Sequence, residues 1–301
     1  MKTIVINLSK DPKNLNEIKQ AIKVFLKKTK YTLHIIGTEE QLNAMIGTDD
    51  LVLDFIKKDA SEEDYLNKSL NIIKANEAVG FLSFSNVNVL VPFVDSNFDE
   101  ITKTKACALL YPTKVYNKST LILDTAINKT INKEQAEDLY SYADLFLKTV
   151  AKVKKTNFGL LNNLNILDKD FKKNPNYVGL IRPFDFLENK TDIIISDATS
   201  SSLVIDAIRG GFYTLLLQTR LEIDKSAFFK LGEWHLKSVK RTINSKIDTN
   251  IISNGYFFIG YNQNIVSINN DAKFISVQQA LNFLKGLDES EFNKKLKELK
   301  K

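Results

Sequence analysis

Short apolar runs alternate along this chain with longer segments in which apolar residues recur every three or four positions. The first kind is typical of buried strands, as at Thr3–Asn7 and Ala78–Ser83, and the second of amphipathic helices, as at Glu62–Ala75. Strands that alternate with helices predict βαβ units. We therefore expect an α/β fold, a three-layer α/β/α sandwich with a mixed, mostly parallel sheet.

The same pattern predicts most of the other elements. Further strands are expected at Tyr31–Ile36, Leu51–Phe55, Ala106–Tyr111, Thr120–Asp124, Asn157–Leu161, Asn176–Ile181, Asp192–Ser196, Tyr256–Ile259 and Ile265–Ile268. Further helices are expected at Lys13–Lys28, Glu39–Ile46, Lys133–Val153, Val277–Gly286 and Glu289–Lys300. Since neither a repeat nor a Pro/Gly linker interrupts the pattern, residues 1–301 are expected to form one domain with a helical tip at about 221–250.

The stretch 190–211 predicts a strand that runs directly into a polar helix start. The strand ends at Asp197, a run of hydroxyl residues follows at 199–202, and Gly210-Gly211 is expected to end the helix. The free N–H groups of a helical first turn and the helix dipole both favour an anion. Asp197 and Ser200 are therefore candidates for an anion pocket.

Other predicted strands also end in polar residues. They are followed by Ser83–Asn86, Asp124–Asn128 and Asn162-Asn163. Ligands of open α/β sheets bind outside the carboxyl ends of the strands, so we expect these segments and Asp197 to converge on one crevice. The alternative for each segment taken alone is an ordinary helix N-cap, because Asn, Asp, Ser and Thr are the preferred capping residues.

The composition and the motifs of the chain restrict the kinds of site and reaction that it can have. The 301 residues are 44% hydrophobic and 26% charged, which is enough apolar material for a packed core. The single cysteine and two histidines disfavour disulfides and a zinc site. Neither a Walker loop, a GxGxxG fingerprint nor a nucleophilic triad is recognisable, so we expect no cofactor and no metal. A reaction without a covalent enzyme intermediate fits better, such as direct attack by bound phosphate on an activated acyl group.

The net charge of +6 favours anionic partners, although compositional drift is an alternative source of the charge. A basic segment around Phe228, Phe229 and Trp234 is a candidate for contact with an anionic membrane surface or a partner; the alternative is an ordinary surface helix. Nucleic-acid binding has less support, since the lysines are spread along the chain. Without a long apolar run, we expect a cytoplasmic protein, peripheral on the inner membrane face at most.

Several segments spread over nearly the whole chain share their order with the motifs of one known family. They are Asn67-Lys68-Ser69-Leu70, Phe81–Asn88, Lys105-Ala106-Cys107, Leu123–Asn128, Gly159–Asn162, Tyr177-Val178-Gly179 and Asn254–Gly260. In this order they resemble motifs of the phosphate acyltransferases of phospholipid synthesis. That family is similar in fold to isocitrate and isopropylmalate dehydrogenases.

The resemblance implies a substrate pair, a product and a set of site residues. The pair is acyl-acyl-carrier protein and inorganic phosphate, the product is an acyl phosphate, and a homodimer is expected. The implied catalytic residues are Asn86, Asp124 and Asp197. Asn86 and Ser85 would hold phosphate, Asp124 and Asn128 would shape the pocket, and Asp197 with its hydroxyl loop would orient the thioester or acyl phosphate. The implied substrate-binding residues are Asp11, Ser69, Ser83, Ser85, Asn128, Asn162 and Ser200.

Two further hypotheses remain open. Ser85 and Asn88 stand where the family has a glycine pair, and Ala198-Thr199-Ser200 stands in a second loop that is glycine-rich in the family. Since glycine lets a ligand approach the backbone closely, these replacements favour a catalytically impaired member that acts as a scaffold for carrier protein or membrane. An acetyl- or butyryl-phosphotransferase is a third hypothesis, for which no coenzyme A feature is present.

Overall fold

A computed structural model describes residues 2–47, 51–113, 118–188, 190–225 and 255–299. Its strands are β1 (Lys2–Asn7), β2 (Tyr31–Gly37), β3 (Leu51–Phe55), β4 (Gly80–Ser83), β5 (Ala106–Thr113), β6 (Lys118–Leu123), β7 (Phe158–Leu161), β8 (Tyr177–Ile181), β9 (Ile193–Ile195), β10 (Tyr256–Ile259) and β11 (Ile265–Ser267). Its α-helices are α1 (Leu15–Leu26), α2 (Glu39–Asn43), α3 (Glu62–Ala75), α4 (Val87–Asn97), α5 (Lys133–Thr149), α6 (Asp168–Phe171), α7 (Ala198–Asp224), α8 (Phe274–Glu289) and α9 (Phe292–Glu298). Short 3₁₀ turns follow β7 at Asn162–Leu167 and β8 at Pro183–Glu188.

The eleven strands form one mixed sheet in the order β3-β2-β1-β4-β11-β10-β5-β6-β9-β7-β8. The pairs β11–β10, β10–β5 and β5–β6 are antiparallel, and the other pairs are parallel. The predicted fold class, α/β with a mixed and mostly parallel sheet, is confirmed.

Helices cover both faces of the sheet. Residues of α1, α5, α8 and α9 join alternate strand residues, such as Ile6 and Leu123, in one large core. On the other face α3 and α4 pack around Phe81 and Phe258, and α7 packs beside Ile194. Because both faces are covered, the central strands are buried along most of their length.

The antiparallel centre gives the two halves of the sheet opposite directions. Ser83, Ser267, Tyr256, Leu109 and Ile122 lie side by side in one row across five neighbouring strands. β4 and β11 end at this row and their chains continue to one side of it, whereas β6 crosses the row and ends on the other side. The carboxyl ends of β1, β4 and β11 therefore lie at the opposite edge of the sheet from those of β6, β7 and β9.

One local prediction is wrong, and one helix was not predicted from the sequence. Gly210-Gly211 does not end α7, which continues to Asp224, because two glycines lower helix propensity by only about 1 kcal/mol each and good helix formers follow them. The sequence pattern also missed α4. Pro92 lies inside this helix, where it removes one backbone hydrogen bond and so breaks the helical signal. Of the predicted tip, residues 226–250 lie outside the described part of the chain.

Two glycine-to-alanine substitutions should change stability in opposite directions. A Cβ on Gly159 of β7 would overlap the Ile181 side chain and lie 2.9 Å from the Gly179 carbonyl oxygen, so Gly159→Ala should cost about 1–3 kcal/mol. A Cβ on Gly210 would meet nothing within 4 Å, so Gly210→Ala should gain about 0.5–1 kcal/mol. Chemical denaturation measures both changes; equal effects of the two substitutions would contradict this account.

Candidate functional site

A polar pocket of about 480 Å³ opens at the carboxyl ends of β1, β4 and β11. We call it the β4 pocket, and its charged and polar lining includes Lys10, Asp11, Glu62, Ser85, Asn86 and Asp271. The lining comes from four separate parts of the chain: the segment after β1, the start of α3, the loop after β4 and the segment after β11. Asp11, Ser85 and Asn86, three of the residues that the resemblance implied, therefore lie together in one pocket.

A hydrogen-bond network builds the floor of the β4 pocket. The buried Asn7 amide donates to Ser83 Oγ at 3.5 Å and to Ser85 Oγ at 3.3 Å, and Ser85 N donates to Ser83 Oγ at 3.1 Å. The Ser85 hydroxyl in turn donates to the Glu62 carboxylate. Ser267 of β11 donates from its hydroxyl to the Ser85 carbonyl oxygen at 2.9 Å. This network fixes Ser85 in the pocket lining and leaves its hydroxyl bound to a carboxylate, whereas Ser83 is fully buried and does not line the pocket.

Asn86 has a second role beside lining the pocket. Its side-chain oxygen accepts a hydrogen bond from Asn88 N at 2.9 Å, so Asn86 is the N-cap of α4. The positive end of the α4 dipole consequently faces the segment that lines the pocket. Capping and ligand binding, which the sequence offered as alternatives, are compatible at this residue.

The charges of the β4 pocket are mixed. Asp11, Glu62 and Asp271 place three carboxylates against the single ammonium group of Lys10. In the part of the chain that the structure describes, no three histidine, cysteine or carboxylate side chains come close enough to hold a metal ion. The pocket thus combines donors with carboxylate acceptors.

A second polar cluster lies at the opposite edge of the sheet, around Asp124. Its buried carboxylate accepts hydrogen bonds from the backbone N–H groups of Cys107 at 3.0 Å, Ala126 at 3.0 Å, Ile127 at 3.2 Å and Asn128 at 2.6 Å. Burial raises the pKa of this carboxyl above its usual value, and the four N–H groups oppose that shift. With these contacts Asp124 anchors the loop 124–128.

Asp197 belongs to the same cluster and caps α7. Its carboxylate accepts hydrogen bonds from Ser200 N at 2.9 Å and from the Asn163 side chain. The Asn128 carbonyl accepts from Ala198 N at 2.8 Å and so joins the loop 124–128 to the start of α7. Since two of the first three N–H groups of α7 already bind protein acceptors, a ligand anion would have to compete with Asp197 here.

Other polar residues that the sequence singled out lie away from the β4 pocket. The single crevice is wrong: the Ser83–Asn86 loop lies at one edge of the sheet and the 124–128 and Asp197 segments lie at the other, because the central strands are antiparallel. Ser69 lies buried in α3, where its hydroxyl donates to the Tyr65 carbonyl at 2.7 Å, and it does not line the β4 pocket. Asn162 is exposed, and its neighbour Asn163 contacts Asp197 instead.

Sequence reasoning missed Glu62 as a pocket residue. Glu62 follows Ser61, which forms a capping box with Asp64, so its local signal is that of an ordinary acidic first turn. Only the approach of α3 to the loop after β4 brings its carboxylate to Ser85. No spacing pattern in the sequence predicts the contact between Glu62 and Ser85.

Comparisons with known proteins agree with the architecture and with the predicted resemblance. A superposition on a branched-chain phosphotransacylase from Enterococcus faecalis covers 95% of this chain and 99% of that chain, with a TM-score of 0.53 and 12% sequence identity. This similarity shows a shared fold. It is 25% identical over 276 residues to a phosphate acyltransferase from Malacoplasma penetrans, covering 86% of this chain and 80% of the relative. It is 28% identical over 209 residues to a phosphate acyltransferase from Mycoplasma capricolum, covering 64% of this chain and 60% of that relative. No family model matches.

The chain is thus similar in sequence to phosphate acyltransferases and has the fold of a phosphotransacylase, and the predicted resemblance is confirmed. Among the described residues, no helix has the length and apolarity needed to cross a membrane.

Asp124→Ala should destabilise the protein strongly. It removes the acceptor of four buried N–H groups, and each unsatisfied group costs free energy, so we expect a loss of about 3 kcal/mol or more. The exposed Asp170 offers a control, because Asp170→Ala should change stability by about 0.5 kcal/mol at most. Thermal and chemical denaturation would measure both. An Asp124→Ala protein as stable as the control would show that this carboxylate does not anchor the loop.

Proposed function

We propose that this protein is a phosphate acyltransferase that converts acyl-acyl-carrier protein and inorganic phosphate into an acyl phosphate and free carrier. In this reaction a phosphate oxygen attacks the thioester carbonyl carbon, the new C–O bond forms, and the C–S bond breaks. The carrier leaves as a thiolate and takes up a proton. No covalent intermediate on the protein is needed, so the enzyme acts mainly by positioning and by binding charge.

The β4 pocket is the observation that carries this proposal. It holds Asp11, Ser85 and Asn86, all of which belong to the set that the resemblance implied, and it adds the ammonium group of Lys10. The amide side chains of Asn269 and Asn270 also line it. Ammonium and amide groups beside the start of α4 would supply hydrogen bonds to phosphate oxygens.

The residues of this proposal have distinct roles. Lys10 and Asn86 would donate to phosphate oxygens, and the buried Ser83 would hold Ser85 in the pocket lining. The catalytic roles of Asp124 and Asp197, and the substrate contacts of Asn128, Asn162 and Ser200, stay predictions. Their hydrogen bonds support a structural role in holding the loops after β6 and β9.

The carrier protein and the place in phospholipid synthesis belong to the proposal as well. The net charge of +6 favours an acidic macromolecular partner such as acyl-carrier protein, through electrostatic attraction during encounter. The sequence similarity to phosphate acyltransferases supports an acyl donor together with phosphate.

A catalytically impaired scaffold is the second candidate, and the charge of the β4 pocket favours it. Three carboxylates face one lysine, and the Ser85 hydroxyl already binds Glu62. Such a pocket repels a fully ionised anion. Turnover and phosphate binding separate the two candidates, because a scaffold would show neither.

Membrane contact is a part of the proposal that rests on α7, whereas a homodimer is proposed from the resemblance alone. In its C-terminal half this helix exposes apolar side chains, with Tyr213 exposed to 68% and Leu215 to 62%, beside Arg220 and Lys225. An exposed apolar surface next to basic residues suits an anionic bilayer. The segment with Phe228, Phe229 and Trp234 lies outside the described residues.

Asn86→Ser tests the phosphate role of Asn86. Serine keeps a capping oxygen for α4 but removes the amide donor, so stability should change little while the KM for phosphate rises about tenfold. The readout is phosphate-dependent release of carrier thiol from palmitoyl-acyl-carrier protein.

Asn88→Ser is the matched control, since Asn88 is an exposed asparagine two positions further on that does not line the β4 pocket. It should leave the KM unchanged. Equal effects of the two substitutions would remove Asn86 from the site.

Leu215→Glu tests membrane contact through α7. A carboxylate in place of an exposed leucine should lower co-sedimentation with phosphatidylglycerol vesicles about tenfold, because it removes apolar contact and adds repulsion. Thr214→Glu adds the same charge at the neighbouring exposed polar position and should reduce binding much less. Vesicle binding that is indifferent to Leu215→Glu would count against this surface.

A further inference from the structure

Glu62 places a carboxylate inside the pocket proposed for phosphate, and the surrounding network holds it there. The Ser85 hydroxyl donates to one carboxylate oxygen, Oε1, and the buried Asn7 amide in turn donates to Ser85 Oγ at 3.3 Å. Among the described residues, the other oxygen, Oε2, receives one hydrogen bond, a long one from Lys10 N at 3.4 Å. Glu62 is half-buried, whereas Asp11 and Asp271 are exposed to solvent. Glu62 is thus the pocket carboxylate with a fixed position.

A fixed carboxylate restricts the chemistry of the ligand. An ionised carboxylate only accepts hydrogen bonds, so a ligand oxygen placed against Oε2 must carry a proton. An unprotonated oxyanion at the same place would meet like charge without any compensating hydrogen bond, which is unfavourable. Near neutral pH phosphate keeps a hydroxyl group, and sulfate, of nearly the same size and shape, does not.

We propose that Glu62 is the specificity-determining residue of the β4 pocket and selects protonated phosphate over sulfate. The phosphate hydroxyl donates to Glu62 Oε2, while the Lys10 ammonium group and the Asn86 amide donate to the unprotonated oxygens. This inference rests on the proposed function, because it takes inorganic phosphate as the ligand of this pocket. It also accounts for the mixture of donors and carboxylates there, since protonated phosphate both donates and accepts.

The inference has a consequence for pH that requires no substitution. The groups facing the bound phosphate are Lys10, Asp11, Glu62 and Asp271, together with the amides of Asn86, Asn269 and Asn270. As pH rises from about 6 to about 8, dihydrogen phosphate becomes monohydrogen phosphate, which still carries one hydroxyl group and, like sulfate, two negative charges. The donor to Glu62 is therefore retained, and the preference for phosphate over sulfate should persist over that range.

Glu62→Gln tests the inference directly. Glutamine has nearly the same shape, still accepts from Ser85, and can present an N–H donor where Glu62 presents only acceptors. Isothermal titration calorimetry of the full chain with sodium phosphate and with sodium sulfate measures the preference, and thermal melting checks the fold. Wild-type protein should prefer phosphate about tenfold or more, and Glu62→Gln should reduce the preference to about threefold or less.

Glu63→Gln is the matched control. Glu63 is the next residue in the same first turn of α3, it is exposed, and it does not line the pocket. The same charge is removed, so Glu63→Gln should keep the wild-type preference.

Several outcomes would overturn the inference. These are wild-type protein that binds sulfate as tightly as phosphate, a Glu62→Gln protein that still discriminates, or a preference for phosphate that is lost between about pH 6 and about pH 8. The first and the last of these results are obtained on wild-type protein, so they test the inference even if Glu62→Gln fails to fold. Wild-type protein that binds neither anion would overturn it together with the assignment of the pocket.

Turnover separates this inference from the proposed function. Acyl phosphate formation by wild-type protein, with a Glu62→Gln protein that keeps its preference for phosphate, would support the proposed function and contradict the role of Glu62. Loss of the preference in Glu62→Gln, with no acyl phosphate formed by wild-type protein, would support the role of Glu62 and contradict the proposed function.

Discussion

The reversal of strand direction at the centre of the sheet determines where the β4 pocket and the Asp124–Asp197 cluster lie. Because three successive pairs, β11–β10, β10–β5 and β5–β6, are antiparallel, the parallel strands on the two sides of this centre end at opposite edges of the sheet. Polar residues that follow strands in an α/β fold gather at the edge where those strands end. This arrangement places the β4 pocket at one edge and the Asp124–Asp197 cluster at the other.

The two clusters use the same residue types for different purposes. Around Asp124 the carboxylate oxygens accept from backbone N–H groups of the loop 124–128 and from that of Cys107 in β5, so the cluster stabilises local structure. In the β4 pocket, Glu62 and Lys10 line a space of about 480 Å³, which is large enough for a ligand. That difference, rather than the identity of the residues, points to the β4 pocket as the candidate phosphate site.

The first turn of α3 explains how a carboxylate is tolerated in such a pocket. Glu62, Glu63 and Asp64 lie at the positive end of the helix dipole, where negative charge is favourable. The Ser85 hydroxyl adds a hydrogen bond to a charged acceptor, which is stronger than one between neutral groups. Glu62 therefore serves the stability of α3 and the chemistry of the pocket at once.

Local patterns in the sequence predicted much of the fold. Glu62–Ala75 was expected with the bounds that the structure has, and the sequence motifs pointed to Asp11, Ser85 and Asn86. Apolar periodicity predicts elements well because it records which face of each element is buried. Long-range features were not predicted, because the direction of β10 and the contact of Glu62 with Ser85 depend on packing between distant segments. The helix α4 was not predicted because Pro92 lies inside it and disfavours a helix.

The most direct test of the central claim is the fate of labelled phosphate. Wild-type protein is incubated with palmitoyl-acyl-carrier protein and ³²P-labelled inorganic phosphate, and labelled palmitoyl phosphate and free carrier thiol are both measured. The account predicts that the two products appear together, in equal amounts, and only when phosphate is present. Thiol release without labelled acyl phosphate, or no release by a folded protein, would contradict it.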